Sequence, residues 1–241
     1  MTMKTTVPSN KILSYLSLVL LYLVQGISAH AQTYSTIANG AWSSAATWQG
    51  GIIPNATNIA ASAIINIKHT ISYSGGNMVN NGIINVQNPE GVSPRLIIAS
   101  GVTVTNQTGA RFNIINAELR QYRFIGGGET GTAQTGSVIN AGGYIDISNS
   151  YAELADNFIN QNSGKRVIRN SSITLGRDYK LTSNSFDTLQ NVSISVGWHG
   201  TGDFSTTGGY VFVQSVRAQV GSRAGIFRIN GGTANGDIDY I

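Results

Sequence analysis

Apolar and polar residues alternate along this chain in short bursts, and small or turn-forming residues separate the bursts. Ile64-Ile65-Asn66-Ile67, Ile83-Ile84-Asn85-Val86, Val102-Thr103-Val104, Ile145-Asp146-Ile147, Ile173-Thr174-Leu175, Ile194-Ser195-Val196 and Val211-Phe212-Val213 all have a period of two. A period of two places one set of side chains on a buried face and the other in water, so each burst predicts a short strand. Helical periodicity is nearly missing. Residues 150–157 (SYAELADN) are the one stretch that predicts a short helix.

The bursts share a frame: an apolar residue, any residue, Asn, two residues, then apolar-x-apolar. It occurs at Val79-x-Asn81-x-x-Ile84-x-Val86, at Ile168-x-Asn170-x-x-Ile173-x-Leu175 and at Leu189-x-Asn191-x-x-Ile194-x-Val196. Looser copies run through Asn106 and Asn140. Units of about 20–35 residues with short strands and a polar corner predict stacked coils. Asn suits such corners because it tolerates left-handed backbone, and stacked Asn amides pair along the stacking direction. The predicted fold is therefore all-β, a right-handed single-stranded parallel β-helix (solenoid). The architecture with the most similar signature is a Greek-key sandwich.

Composition sharpens this picture. Charged residues make up 11% of the chain, far below the roughly 25% of ordinary soluble domains. Gly, Asn, Ser, Thr and Ile fill the difference, as expected of many tight corners joined by β-branched strands. Cysteine is absent, which excludes disulfide staples and leaves hydrogen-bond ladders and aliphatic burial to hold the fold.

The first 31 residues read as a secretory signal peptide. Lys4 and Lys11 precede an apolar run over residues 12–24, and a polar segment ends at Ala29-His30-Ala31. The expected mature chain is a single β-helix domain, residues 32–241, with an N-terminal cap over 32–60 and coils over 61–241. The last coil stops in mid-pattern, so truncation at the C-terminal end is also an expectation. Of the 15 Lys and Arg, two leave with the leader, so 13 face 11 Asp and Glu and the net charge becomes +2. So small a charge argues against a nucleic-acid partner and against strong attraction to membrane surfaces. No apolar run after the leader is long enough for a transmembrane segment.

The segment Gly40-Ala-Trp42-Ser43-x-x-x-Thr47-Trp48-x-Gly50-Gly51-x-x-Pro54 resembles the start of many bacterial secreted and cell-surface parallel β-helix proteins. Ile65-Asn-Ile67-Lys-His-Thr-Ile71 and Arg95-Leu-Ile-Ile-Ala-Ser-Gly101-Val-Thr-Val104 extend the likeness, which covers residues 40–104. The resemblance implies a capped, surface-exposed solenoid, often an adhesin or a module of a carbohydrate-active protein. It implies no particular reaction.

Candidate chemistry is sparse. Trp42 and Trp48 read as a plug over the first coil, with a sugar-stacking platform as the alternative. Trp198-His199-Gly200-Thr201-Gly202-Asp203 is the most ligand-like loop, combining an aromatic, a titratable ring and a carboxylate. Lys165, Arg166, Arg169, Arg177 and Lys180 concentrate positive charge within 16 residues. They read first as solvated surface charge; the alternative is that on stacked coils they line a groove for an acidic polysaccharide. The candidate ligand-binding residues are therefore Arg166, Arg169, Arg177, Lys180, Trp198, His199 and Asp203. No catalytic set emerges.

Gly126 to Gly131 matches G-x-G-x-x-G in letters only, because no helix is predicted after it. With two histidines beyond the leader, His69 and His199, and Asp237-x-Asp239 alone, no metal site is expected, and no cofactor. The function expected from sequence is a secreted or cell-surface β-solenoid, a structural or adhesin-type module without enzymatic activity. The alternative is a polysaccharide-binding or lyase-type β-helix. The expected partner is an extracellular polysaccharide or another surface protein.

Overall fold

The computed structural model describes residues 31–121, 136–182, 184–197, 202–220, 227–230 and 233–240. They form a parallel β-solenoid with almost no helix. Three single 3-10 turns, Ala45–Thr47, Gln49–Gly51 and Ala56–Asn58, precede the regular coils. Every pairing between strands is parallel, and each coil lays its strands directly on those of the coil before.

Three faces result. The first stacks Thr33–Ser35, Ile64–Ile67, Ile83–Val86, Arg111–Ile115 and Tyr144–Ser148. The second stacks Gly40–Ala41, Ile71–Tyr73, Arg95–Ile98, Glu118–Gln121 and Tyr151–Leu154. Three 11-residue strands, Lys165–Leu175, Phe186–Val196 and Tyr210–Val220, then run through both faces and join them into one 14-stranded sheet. Met78–Asn80, Val104–Gln107, Val138–Ala141, Phe158–Gln161, Tyr179–Thr182, Phe204–Thr207 and Phe227–Asn230 make the separate third face.

The period-two bursts become the strands because their aliphatic members fill the interior. Ile67, Val86, Ile114, Ile147, Ile168, Leu189 and Val213 occupy one inward column, each stacked on the next. All are buried. Each full burial of such a side chain stabilises the fold by about 1.5–3 kcal/mol. Residues 150–157 follow the same rule: Tyr151–Leu154 is a strand, because Ala152 and Leu154, two apart, both point inward. The short helix expected there is thus corrected. A two-residue period that fills the core overrides the weak helical pattern.

Asparagine marks the corners, but not one repeated corner. Between the first and second faces, Asn116, Asn149, Asn170 and Asn191 have φ of 47–51°. The last three form an exposed amide ladder: Asn170 Nδ2 donates to Asn149 Oδ1 (3.1 Å) and Asn191 Nδ2 to Asn170 Oδ1 (3.0 Å). Ser215 (φ 53°) takes this corner in the next coil. Asn81 sits elsewhere, between the third and first faces, and bonds to Asn58. Asn106 and Asn140 point into the interior. The five asparagines that share a frame in the sequence therefore occupy three different places. The frame describes any strand–corner–strand junction, whichever corner the chain is turning.

The interior Asn column runs along the third face. Asn80 Nδ2 donates to Asn106 Oδ1 (2.7 Å), Asn106 to Asn140 (2.9 Å) and Asn140 to Asn160 (2.8 Å). The same amide nitrogens reach backbone carbonyls that open the next coil, Arg111 O, Tyr144 O, Lys165 O and Phe186 O. In two coils the corner beside this ladder needs glycine. A Cβ on Gly164 would collide with Asn160 Oδ1, and one on Gly143 with Asn106 Nδ2.

Candidate functional site

The cationic segment does not make one groove. Lys165 to Lys180 spans one coil, so its side chains point in every direction around the solenoid. Lys165 and Arg169 lie on the first face, pointing outward. Arg177 lies in the turn between the second and third faces, its Nε 3.6 Å from Asp156 Oδ1. Lys180 is on the third face, its Nζ 2.6 Å from Asp178 Oδ2.

Arg166 points inward and is 0% exposed. It therefore cannot line a surface groove, which corrects the expectation from sequence. Its Nε bonds Asp187 Oδ1 and Oδ2 at 3.1 and 3.2 Å, and Nη2 also pairs with Oδ2. The guanidinium lies 4.2 Å from the Phe158 ring centroid and 4.0 Å from that of Tyr179. The Tyr179 hydroxyl donates to Asp187 Oδ2 (2.7 Å), and Asn160 Nδ2 donates to Oδ1 (2.7 Å). Burial lowers the guanidinium's affinity for its proton, but Asp187 and Tyr179 outweigh it, so the Arg166 pKa rises. Burial, reinforced by Asp187 against the pull of Arg166, pushes the Tyr179 hydroxyl well above its ordinary range. The interior column of Ile65, Ile84, Phe112 and Ile145 thus carries Arg166 and Asp187 on consecutive coils before returning to Val211. This cluster is structural, sealed from any solute.

Asp203 lies in the turn before the third face, where its backbone N–H donates to Asp178 Oδ1 (2.8 Å) and its carbonyl accepts from Tyr179 N. Trp198 and His199 lie outside the described residues, as does the segment from Gly126 to Gly131. Trp42 and Trp48 are 3% and 1% exposed, with ring centroids 5.0 Å apart. Their indole N–H groups donate to Pro54 O and Trp42 O. Neither ring face is open to a sugar.

The three faces differ in what they present. On the second, Glu118 Oε2 lies 2.8 Å from the Nε of both Arg95 and Arg120, and Arg120 reaches Glu153 at 3.9 Å. Charge there is neutralised within the face. On the first face an amide ladder, Asn66–Asn85–Asn113, gives way to Asp146, which pairs with Arg169 at 3.8 Å. Beside it runs another outward column: Arg111, Tyr144, Lys165, Phe186 and Tyr210, each in register with the next. Arg111 and Lys165 have no carboxylate partner among the described residues. Arg111 packs 5.3 Å from the Tyr144 ring centroid, and Phe186 stacks on Tyr210 with centroids 5.1 Å apart. Phe186, Tyr210 and the neighbouring Phe212 are 44%, 48% and 47% exposed.

Reasoning from the sequence missed this column. Its signal was the small residue before each member: Ala110, Gly143, Gly164, Ser185 and Gly209. Aligning the coils on those positions brings the five side chains into one file.

Comparison with family models, with curated proteins and with solved structures returns no match. No helix among the described residues is long and apolar enough to cross a membrane, and no group of three or more potential metal ligands occurs among them.

Proposed function

We propose that this chain is a secreted, non-enzymatic solenoid that serves at the cell surface as an adhesion module. The observation that carries the reading is the exposed aromatic group Phe186, Tyr210 and Phe212 on the first face. Clustered large apolar side chains left in water mark a surface that meets a partner. The rest of the exterior suits a scaffold: Asn66–Asn85–Asn113, Arg95–Glu118 and Arg169–Gln190–Gln214 tie side chains from coil to coil. Export is supported by the leader-like first 31 residues, and surface display by the resemblance of residues 40–104 to secreted β-helix proteins.

The test is to produce the tagged full chain in a bacterial host and follow its location and the adhesion of the cells. Surface exposure, shown by protease shaving, together with adhesion that falls when Phe186 and Phe212 become Ser, is the expected result. Retention inside the cell would overturn the reading, as would turnover of a polysaccharide with release of unsaturated products.

A further inference from the structure

The outward column on the first face places cation, aromatic, cation, aromatic, aromatic on successive coils: Arg111, Tyr144, Lys165, Phe186, Tyr210. Coils are separated by about 4.8 Å, the spacing of hydrogen-bonded strands, so Arg111 and Lys165 stand about 10 Å apart along the axis. A coil step is close to the length of one sugar unit in an extended polysaccharide. Cations two coils apart therefore match acidic groups carried on alternate sugars of a chain lying along the solenoid.

We propose that this column binds an extended acidic polysaccharide. The inference rests on the adhesion reading and names the ligand of the same face. Charge selects the anion. Among the described residues, Arg95 and Arg120 pair with Glu118 and Lys180 with Asp178, whereas Arg111 and Lys165 have no carboxylate partner. Arg169, on the same face, adds a third cation that Asp146 meets only at 3.8 Å. Phe186 and Tyr210 stack face to face along the axis, at an interplanar angle of 12°, so their ring edges face outward. They supply a ridge of ring edges against the apolar C–H surfaces of the sugars, next to cations that hold the carboxylates or sulfates. A nucleic acid fits less well, because it takes its affinity from many phosphate contacts and this column offers only Arg111 and Lys165.

The experiment measures binding of the full chain to immobilised polyuronate, sulfated glycosaminoglycan, neutral glucan and single-stranded DNA across a salt series. An acidic glycan is expected to bind above the neutral glucan and to weaken as salt rises. R111Q/K165Q is expected to lose about tenfold or more in affinity. R177Q/K180Q removes the same charge from the third face and the turn before it and is expected to stay within about twofold. Arg111, Lys165 and Arg177 are exposed and Lys180 is half-buried, and circular dichroism checks that each variant keeps its strand content.

Equal binding of neutral glucan, tighter binding of DNA, no binding of acidic glycan, or equal losses in the two variants would each overturn the proposal. If cells bearing the chain still adhere while no acidic glycan binds, the adhesion reading stands and this ligand is discarded. If adhesion is also absent, both go.

Discussion

Asn160 Nδ2 lies 2.7 Å from Asp187 Oδ1, and that bond ends the interior asparagine ladder on a carboxylate. Every amide in the ladder donates in the same direction, from Asn80 through Asn106 and Asn140 to Asn160. An acceptor-only carboxylate is the natural terminus for such a polarised chain. Asp187 brings a buried charge with it, and Arg166 is the counter-ion that makes the arrangement tolerable.

Asp187→Asn keeps an oxygen for Asn160 but leaves Arg166 buried without its anion. Losing one partner of a buried pair costs about 3–5 kcal/mol. Arg166→Met combined with Asp187→Asn is expected to be markedly more stable than Asp187→Asn alone, because the stranded cation is gone. Chemical denaturation of the single and double variants checks the order. Equal midpoints would show that the ion pair is not the source of the loss.

Tyr179 sets an alkaline limit. Its folded pKa is raised above the ordinary 10.0 by burial. Its contribution is therefore complete below about pH 10 and declines as pH climbs from there toward the folded pKa, because only the unfolded chain releases the proton. The expected slope is about 1.4 kcal/mol per pH unit. Tyr179→Phe lowers stability at neutral pH by removing the bond to Asp187 and flattens the alkaline slope. Denaturation midpoints measured from pH 8 to 11 show whether it does.

Asn140→Leu interrupts the ladder in its middle. It strands the Asn160 oxygen, at a cost of about 1–3 kcal/mol, and leaves the Asn106 amide with backbone acceptors alone. Hydrogen exchange is the sharper readout: faster exchange should appear in the strands Val104–Gln107 and Phe158–Gln161, on either side of the break.

Asn191 tests the outer corner. Asn191→Ser should cost little, because Ser215 adopts the same left-handed backbone one coil later. Asn191→Val places a β-branched residue at φ 51° and should cost about 1–2 kcal/mol. Thermal unfolding of the two variants separates backbone strain from loss of the exposed amide bond.

Strand positions were legible wherever aliphatic residues alternate, since Ile65 and Ile67, or Ile145 and Ile147, can share a face only in extended chain. The same parity rule already placed Arg166 and Asp187 inside, each being two residues from a buried aliphatic, Ile168 and Leu189. Their charge made them read as surface residues instead. Asn106, Asn140, Asn170 and Asn191 were legible as corner markers, but not which corner each one marks.

Sequence alone determined that this chain stacks short strands in coils, because period-two burial and a shortage of charge leave few other ways to bury its isoleucines. Tertiary structure alone decided which side chains meet. Residues 21 or 34 apart become neighbours only after loops of unequal length have been wound out of the way, as at Arg166 with Asp187 and Asn106 with Asn140. Winding also scattered the cations of residues 165–180 around one coil and drew Arg111, Lys165 and Tyr210 from distant coils into one file. Contact in a solenoid follows the register between coils, and linear distance along the chain does not report it.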